Sequence, residues 1–246
     1  MSWFGGSYEE YDFNMFSASH FTVLAILIII VGCLYIFKER LKSSQWRKAE
    51  IGTAVFLLLL EMMYHVWMIV NGNWQLSHAI PLELCSISLF LAIILLISEK
   101  KLVYEILLFT GLLGASQALF TPYLNYDFPH FRFFHFFMTH LLIFCIPLYF
   151  TWVKGYRPSI YSVGKTMLFL NILMPFVMIV NWLTGGNYLY LSHKPKSTSL
   201  LDLLGPYPWY IVSLELLAFS LSIVIWLLLR KREESLVVEK PFRRRA

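Results

Sequence analysis

Apolar residues gather in seven runs separated by short polar stretches: Phe21 to Phe37, Ile51 to Val70, Pro81 to Ile97, Leu102 to Phe120, Phe133 to Phe150, Thr166 to Leu183 and Tyr207 to Leu229. Each comes near the roughly 20 residues that a helix rising about 1.5 Å per residue needs to cross a bilayer. The pattern predicts an all-α, polytopic integral membrane protein, with residues 1–246 forming one domain of seven transmembrane helices. Asn71-Gly72-Asn73, Thr121-Pro122, Gly185-Gly186-Asn187 and Gly205-Pro206-Tyr207-Pro208 are turn formers between runs. The first run does not read as a cleaved signal, because its first basic residue, Lys38, follows it and no small-residue cleavage site does. Residues 184 to 206, the first 20 and the last 17 are each too short for a separate core.

Charge orients the helices. Of the 20 Lys and Arg residues, 17 fall after the first, third and fifth runs and in the C-terminal tail, which ends Arg243-Arg244-Arg245 before Ala246. By the positive-inside rule the N-terminus faces out and the C-terminus faces the cytoplasm of a multi-pass cell-membrane protein. The net charge of +5 therefore reads as topology and gives no reason to expect a nucleic-acid partner. With 58% hydrophobic and 14% charged residues, against roughly 25% charged in soluble domains, an ordinary soluble enzyme is excluded. Cys33, Cys85 and Cys145 all lie in apolar runs, which offers no extracellular disulfide framework. No cofactor is expected, and the sequence specifies no protein partner.

Counting inward from the outer helix ends puts Gln117, Asn181, Cys85 and His65 about 3 to 8 Å deep, and His140, Glu215 and Glu61 about 10 to 14 Å deep. Ionisable groups in hydrocarbon are costly and mark functional sites. Their shared layer predicts one cavity on the outer side. Gly111 with Ala115 and Gly114 with Ala118 form a small-residue packing face. Pro175 predicts a kink in the sixth helix.

Cys85 and His140 are candidates for a nucleophile and its base, since a thiol needs a partner that takes its proton and returns it. Against this stands the ordinary role of a membrane cysteine as a small hydrophobe. Cys33 and Cys145 lack a polar setting and read as packing. Glu61 and His65 are four apart on one helix face, so the carboxylate can orient the imidazole or simply pin two helices. With Gln117, Arg132, His135, Asn181 and Glu215 they make a set of substrate-binding or supporting candidates. A metal could draw on His65, His135, His140 and a carboxylate, but no paired HxxxH or HExxH spacing is present. His20, His78, His130 and His193 are expected to be solvated.

Three stretches carry a resemblance: Pro81-Leu82-Glu83-Leu84-Cys85-Ser86, the run from Gln117 through Thr121-Pro122 and Phe128-Pro129-His130-Phe131-Arg132 to His140, and Ser199-Leu200-Leu201-Asp202-Leu203-Leu204-Gly205-Pro206-Tyr207-Pro208-Trp209-Tyr210. Over about residues 15 to 230 the chain resembles the YwaF-type family of bacterial integral membrane proteins. That family is distantly similar to a eukaryotic transmembrane ether-phospholipid acyltransferase, and the resemblance implies that Cys85 and His140 stand where its cysteine and histidine do. Glu83 and Ser86 depart from the histidine and acidic residue usual in that turn.

The reading that follows is a membrane-embedded lipid acyltransferase or hydrolase, with membrane lipid as substrate and no bound metal. The alternatives are a non-enzymatic small-ligand carrier or seven-helix receptor, in which Glu61, His65 and Glu215 bind or relay protons, and a metal-dependent membrane hydrolase.

Overall fold

A computed structural model describes residues 3–7, 12–195 and 200–231. Ser199 and the terminal arginines Arg243, Arg244 and Arg245 lie outside the described residues. The described chain is helical: α1 (Ala18–Ile36), α2 (Lys38–Leu41), α3 (Arg47–Val70), α4 (Leu84–Ser98), α5 (Lys101–Phe120), α6 (Phe131–Trp152), α7 (Ile160–Thr184) and α8 (Trp209–Leu229). Short 3-10 turns occupy Ser44–Trp46, Tyr188–Tyr190 and Leu200–Leu204.

Six of these helices, α1, α3, α5, α6, α7 and α8, are long and apolar enough to cross a membrane. The third expected span, Pro81 to Ile97, gives α4, which is apolar but has 15 residues, about 22 Å against the roughly 30 Å of hydrocarbon. The hydropathy of Ala79-Ile80-Pro81-Leu82 continues the run, yet the backbone stays irregular until Glu83, whose extended conformation caps α4. At the other end Glu99 adopts φ 52° and stops the helix. α7 starts six residues earlier than its apolar run because Ser159 and Ser162 form a capping box, and it continues through Pro175 as one helix.

α5 and α6 form the centre. Buried positions make up 61% of the spanning window of α6 but 6% of that of α8, whose apolar side chains face outward. The antiparallel α5 and α6 approach so closely that a Cβ on Gly111 would stand 3.0 Å from the Ile143 carbonyl oxygen. A glycine there is what permits the contact.

The end bearing most of the basic loops is tied by charge. Glu50 is buried in the first turn of α3, bonded to Arg47 at 2.8 Å, to Lys154 at 2.7 Å and to the Tyr149 hydroxyl. Glu99 pairs with the same Arg47 and Lys154 at 3.0 Å, joining the end of α4 to α3 and α6. Burial opposes charge on Lys154, but its bonds to Glu50 and Glu99 outweigh this and its pKa is raised. Glu105, on α5, is buried and bonds Lys165 at 2.6 Å.

At the opposite end, residues Trp3 to Gly6 lie over the helix ends. Carbonyls of Trp3, Gly5 and Gly6 accept from the Phe131 amide, the Trp67 indole and the Tyr126 hydroxyl. His20 and His130 were expected in solvent but are fully buried. Their ring nitrogens find backbone partners: His20 Nε2 bonds the Leu119 carbonyl at 2.9 Å, and His130 Nε2 the Gly5 carbonyl at 3.0 Å. Burial lowers the His130 pKa against the pull of that carbonyl. His78 and His193 are exposed, as expected.

Candidate functional site

Because α4 begins late, its first turn lies inside the bundle. Cys85 is the second residue of α4, and its sulfur faces Gly114 of α5, where an added Cβ would stand 3.5 Å away. Gly114 is six residues, about 9 Å, short of the end of α5 at Phe120. Neither the Cys85 nor the Ser86 amide has a hydrogen-bond partner among the described residues, as befits the first turn of a helix. These N–H groups and the positive end of the helix dipole favour negative charge at this point, against the burial of Cys85 and the neighbouring Glu83 carboxylate, which oppose it. One turn deeper, Ser88 bonds Thr110 at 3.1 Å and fixes α4 on α5.

His140 approaches the same level from α6. Gly111 meets Ile143 across the antiparallel pair, so one turn along, Gly114 and His140 share a depth. The His140 Nδ1 lies 2.6 Å from the Phe136 carbonyl oxygen, which can only accept. The ring therefore donates through Nδ1, and Nε2 keeps its lone pair. Among the described residues no hydrogen bond engages that Nε2, and none joins His140 to Cys85. The other buried histidines, His20, His130 and His135, have both ring nitrogens occupied.

A second constellation joins α3 to α6. His135 Nδ1 is 2.9 Å from Arg132 Nη1 and its Nε2 is 3.2 Å from Glu61 Oε2. An arginine can only donate, so His135 accepts at Nδ1, donates from Nε2 and is neutral. His65 Nε2 lies 3.7 Å from Glu61 Oε1, and His65 Nδ1 accepts from the Trp74 indole at 3.2 Å. Arg132 stacks over the Tyr64 ring at 4.1 Å and the Trp67 ring at 5.5 Å. The spacing of Glu61, Tyr64 and His65 at i, i+3 and i+4 carried the signal for one aromatic wall. The small-residue spacing marked Gly114 as a close approach without saying that Cys85 meets it, and nothing in the sequence indicated Trp74 or the role of the Phe136 carbonyl.

Among the described residues no hydrogen bond ties the remaining candidates to either group. Asn181 spends its side chain on Tyr188, accepting from the amide at 2.8 Å and donating to the carbonyl at 3.0 Å. The Tyr188 hydroxyl donates to the Leu76 carbonyl at 2.7 Å and accepts from the Ile80 amide at 2.9 Å, so Asn181 locks one loop onto the other beside the start of α4. There Gly186 comes so near that a Cβ would stand 2.7 Å from the Ser77 carbonyl oxygen. Gln117 bonds Thr121 at the end of its own helix. Glu215 Oε1 is buried with no hydrogen-bond partner among the described residues. Asn181 and Gln117 thus spend their side chains on partners close in the chain, which depth counting along a helix does not register.

Cys145 is buried in the core, whereas Cys33 is exposed and not a packing residue. Among the described residues no group of three or more His, Cys, Asp or Glu is arranged to hold a metal, and His135, one of the ligands that the metal alternative named, has both nitrogens engaged.

The sequence profile of the TMEM164 family matches residues 15–227. No curated protein and no solved structure matches the chain.

Proposed function

The chain belongs to the TMEM164 family of membrane proteins, and from that premise we propose that it is a membrane-embedded lipid acyltransferase or hydrolase using Cys85 as nucleophile and His140 as base. The observation that carries the reading is the fixed tautomer of His140, which leaves Nε2 able to accept a proton at the depth of Gly114, the residue against the Cys85 sulfur. His140 takes the thiol proton as the sulfur attacks an ester carbonyl of a membrane lipid. The amides of Cys85 and Ser86 stabilise the oxyanion. The ester C–O bond breaks, the alcohol leaves with the proton from His140, and the acyl group remains on Cys85 as a thioester. An acceptor hydroxyl, or water in the hydrolase case, then attacks the thioester, gives its proton to His140, and the thiol is restored. Bacterial YwaF-type relatives and the ether-phospholipid acyltransferase they resemble fit this chemistry, as does an orientation with the N-terminus out and the C-terminus in the cytoplasm.

The test is lipid profiling of membranes containing wild type, Cys85→Ser and His140→Ala at matched expression, with mass spectrometry of Cys85 for a hydroxylamine-sensitive acyl adduct. Wild type alone should change the acyl-chain profile and carry the adduct. Identical profiles in all three, with no adduct, refute the enzyme and favour a carrier or receptor.

A further inference from the structure

Among the described residues Arg132 is a cation without a counter-ion. No carboxylate among the described residues lies within ion-pair distance of it, for Glu61 is reached only through His135, whose neutral ring stands between them. The Tyr64 and Trp67 ring centres stand 4.1 and 5.5 Å from the guanidinium carbon, contacts that spend none of its N–H donors. Those donors form the fork that grips an oxyanion with paired bonds. One of its donors is held by His135 Nδ1 at 2.9 Å, which fixes the direction in which the others point. His135 is fixed in turn by Glu61, so the whole chain of contacts orients one guanidinium. A partly buried cation held this way at a helix start, with its forked edge unspent, is built for an anion.

We propose that Arg132 anchors a subsite for a phosphate oxyanion, the headgroup phosphate of a glycerophospholipid, with Tyr64 and Trp67 as its aromatic wall and His135 and Glu61 as positioning residues. The proposal rests on the lipid-enzyme reading and names how that enzyme holds its substrate. Arg132 lies eight residues before His140 on α6, about 12 Å nearer the helix start. A lipid entering from that end meets the cation with its headgroup while its esters point toward Cys85. A free phosphate ion offers the same oxygens, and the test separates the two sources.

The experiment titrates full-length protein in an uncharged detergent with dioleoylphosphatidylglycerol or dioleoylglycerol and reads bound lipid by native mass spectrometry. Wild type should bind the phosphate-bearing lipid at least about tenfold more tightly than the diacylglycerol, the size of one charge-assisted contact. Arg132→Gln should lose that preference, and Arg132→Lys should recover part of it, because charge returns without the planar fork. Equal affinity of wild type for both lipids overturns the subsite, a comparison that stands even if Arg132→Gln does not fold. Displacement of the bound lipid by excess inorganic phosphate supports the subsite with the free ion as a ligand, whereas binding that resists it supports the lipid headgroup. Cys85→Ser should bind as wild type does. If it also keeps lipid turnover, the catalytic reading falls and the phosphate subsite remains; if it is inactive and the wild type shows no lipid preference, the subsite alone falls.

Discussion

Replacing Asn181 by alanine removes two hydrogen bonds that close on one residue, the amide and carbonyl of Tyr188, at 2.8 and 3.0 Å. Asn181 is 3% exposed and Tyr188 1%, so water does not readily take over either bond. The Tyr188 carbonyl keeps the Leu191 amide at 3.4 Å, so the change leaves the buried Tyr188 N–H as the unmet group, at a cost of about 1 to 3 kcal/mol. The loss falls on the loop holding Tyr188, whose hydroxyl bridges Leu76 and Ile80. Hydrogen exchange followed by mass spectrometry on the detergent-solubilised protein reads it directly. If exchange proceeds by local opening, residues 186 to 191 should exchange roughly 5- to 150-fold faster in Asn181→Ala, with α5 and α6 unchanged. Chemistry should suffer only through that loosening. Unchanged exchange together with a loss of turnover of about 100-fold or more would refute the structural assignment and point instead to an oxyanion-binding role for Asn181.

Gly111→Ala should destabilise the fold by about 1 to 3 kcal/mol, read as a lower thermal midpoint, because its Cβ would meet the Ile143 carbonyl at 3.0 Å; Gly114→Ala, at 3.5 Å from the Cys85 sulfur, should leave the midpoint near wild type. Glu50→Gln should cost about 1 to 3 kcal/mol by removing the charge shared by Arg47 and Lys154, and a Lys154→Met change made in that background should cost less than it does alone. A reporter fused after Ala246 should be cytoplasmic while a tag before Met1 is accessible from outside, and cytoplasmic placement of both ends would refute the orientation.

Hydropathy sufficed for the membrane class and for most helices, because burying backbone polar groups in hydrocarbon leaves the helix as the local solution for each apolar run. Six runs became helices of crossing length. It could not fix where α4 starts: Ala79 to Leu82 are apolar whether helical or not, and their backbone is set by contacts such as that of Ile80 with the distant Tyr188. That start decides the depth of Cys85. The pairing of Glu61 with His65 was legible because four-residue spacing on a helix is local, with the two groups 3.7 Å apart. The bond from Glu61 to His135 was not, since it depends on how α3 and α6 are rotated against each other. Likewise His20 and His130 look soluble in the sequence and are buried in the fold, because their partners are backbone carbonyls of Leu119 and Gly5, and a carbonyl's direction is a property of the packed chain that no residue type records.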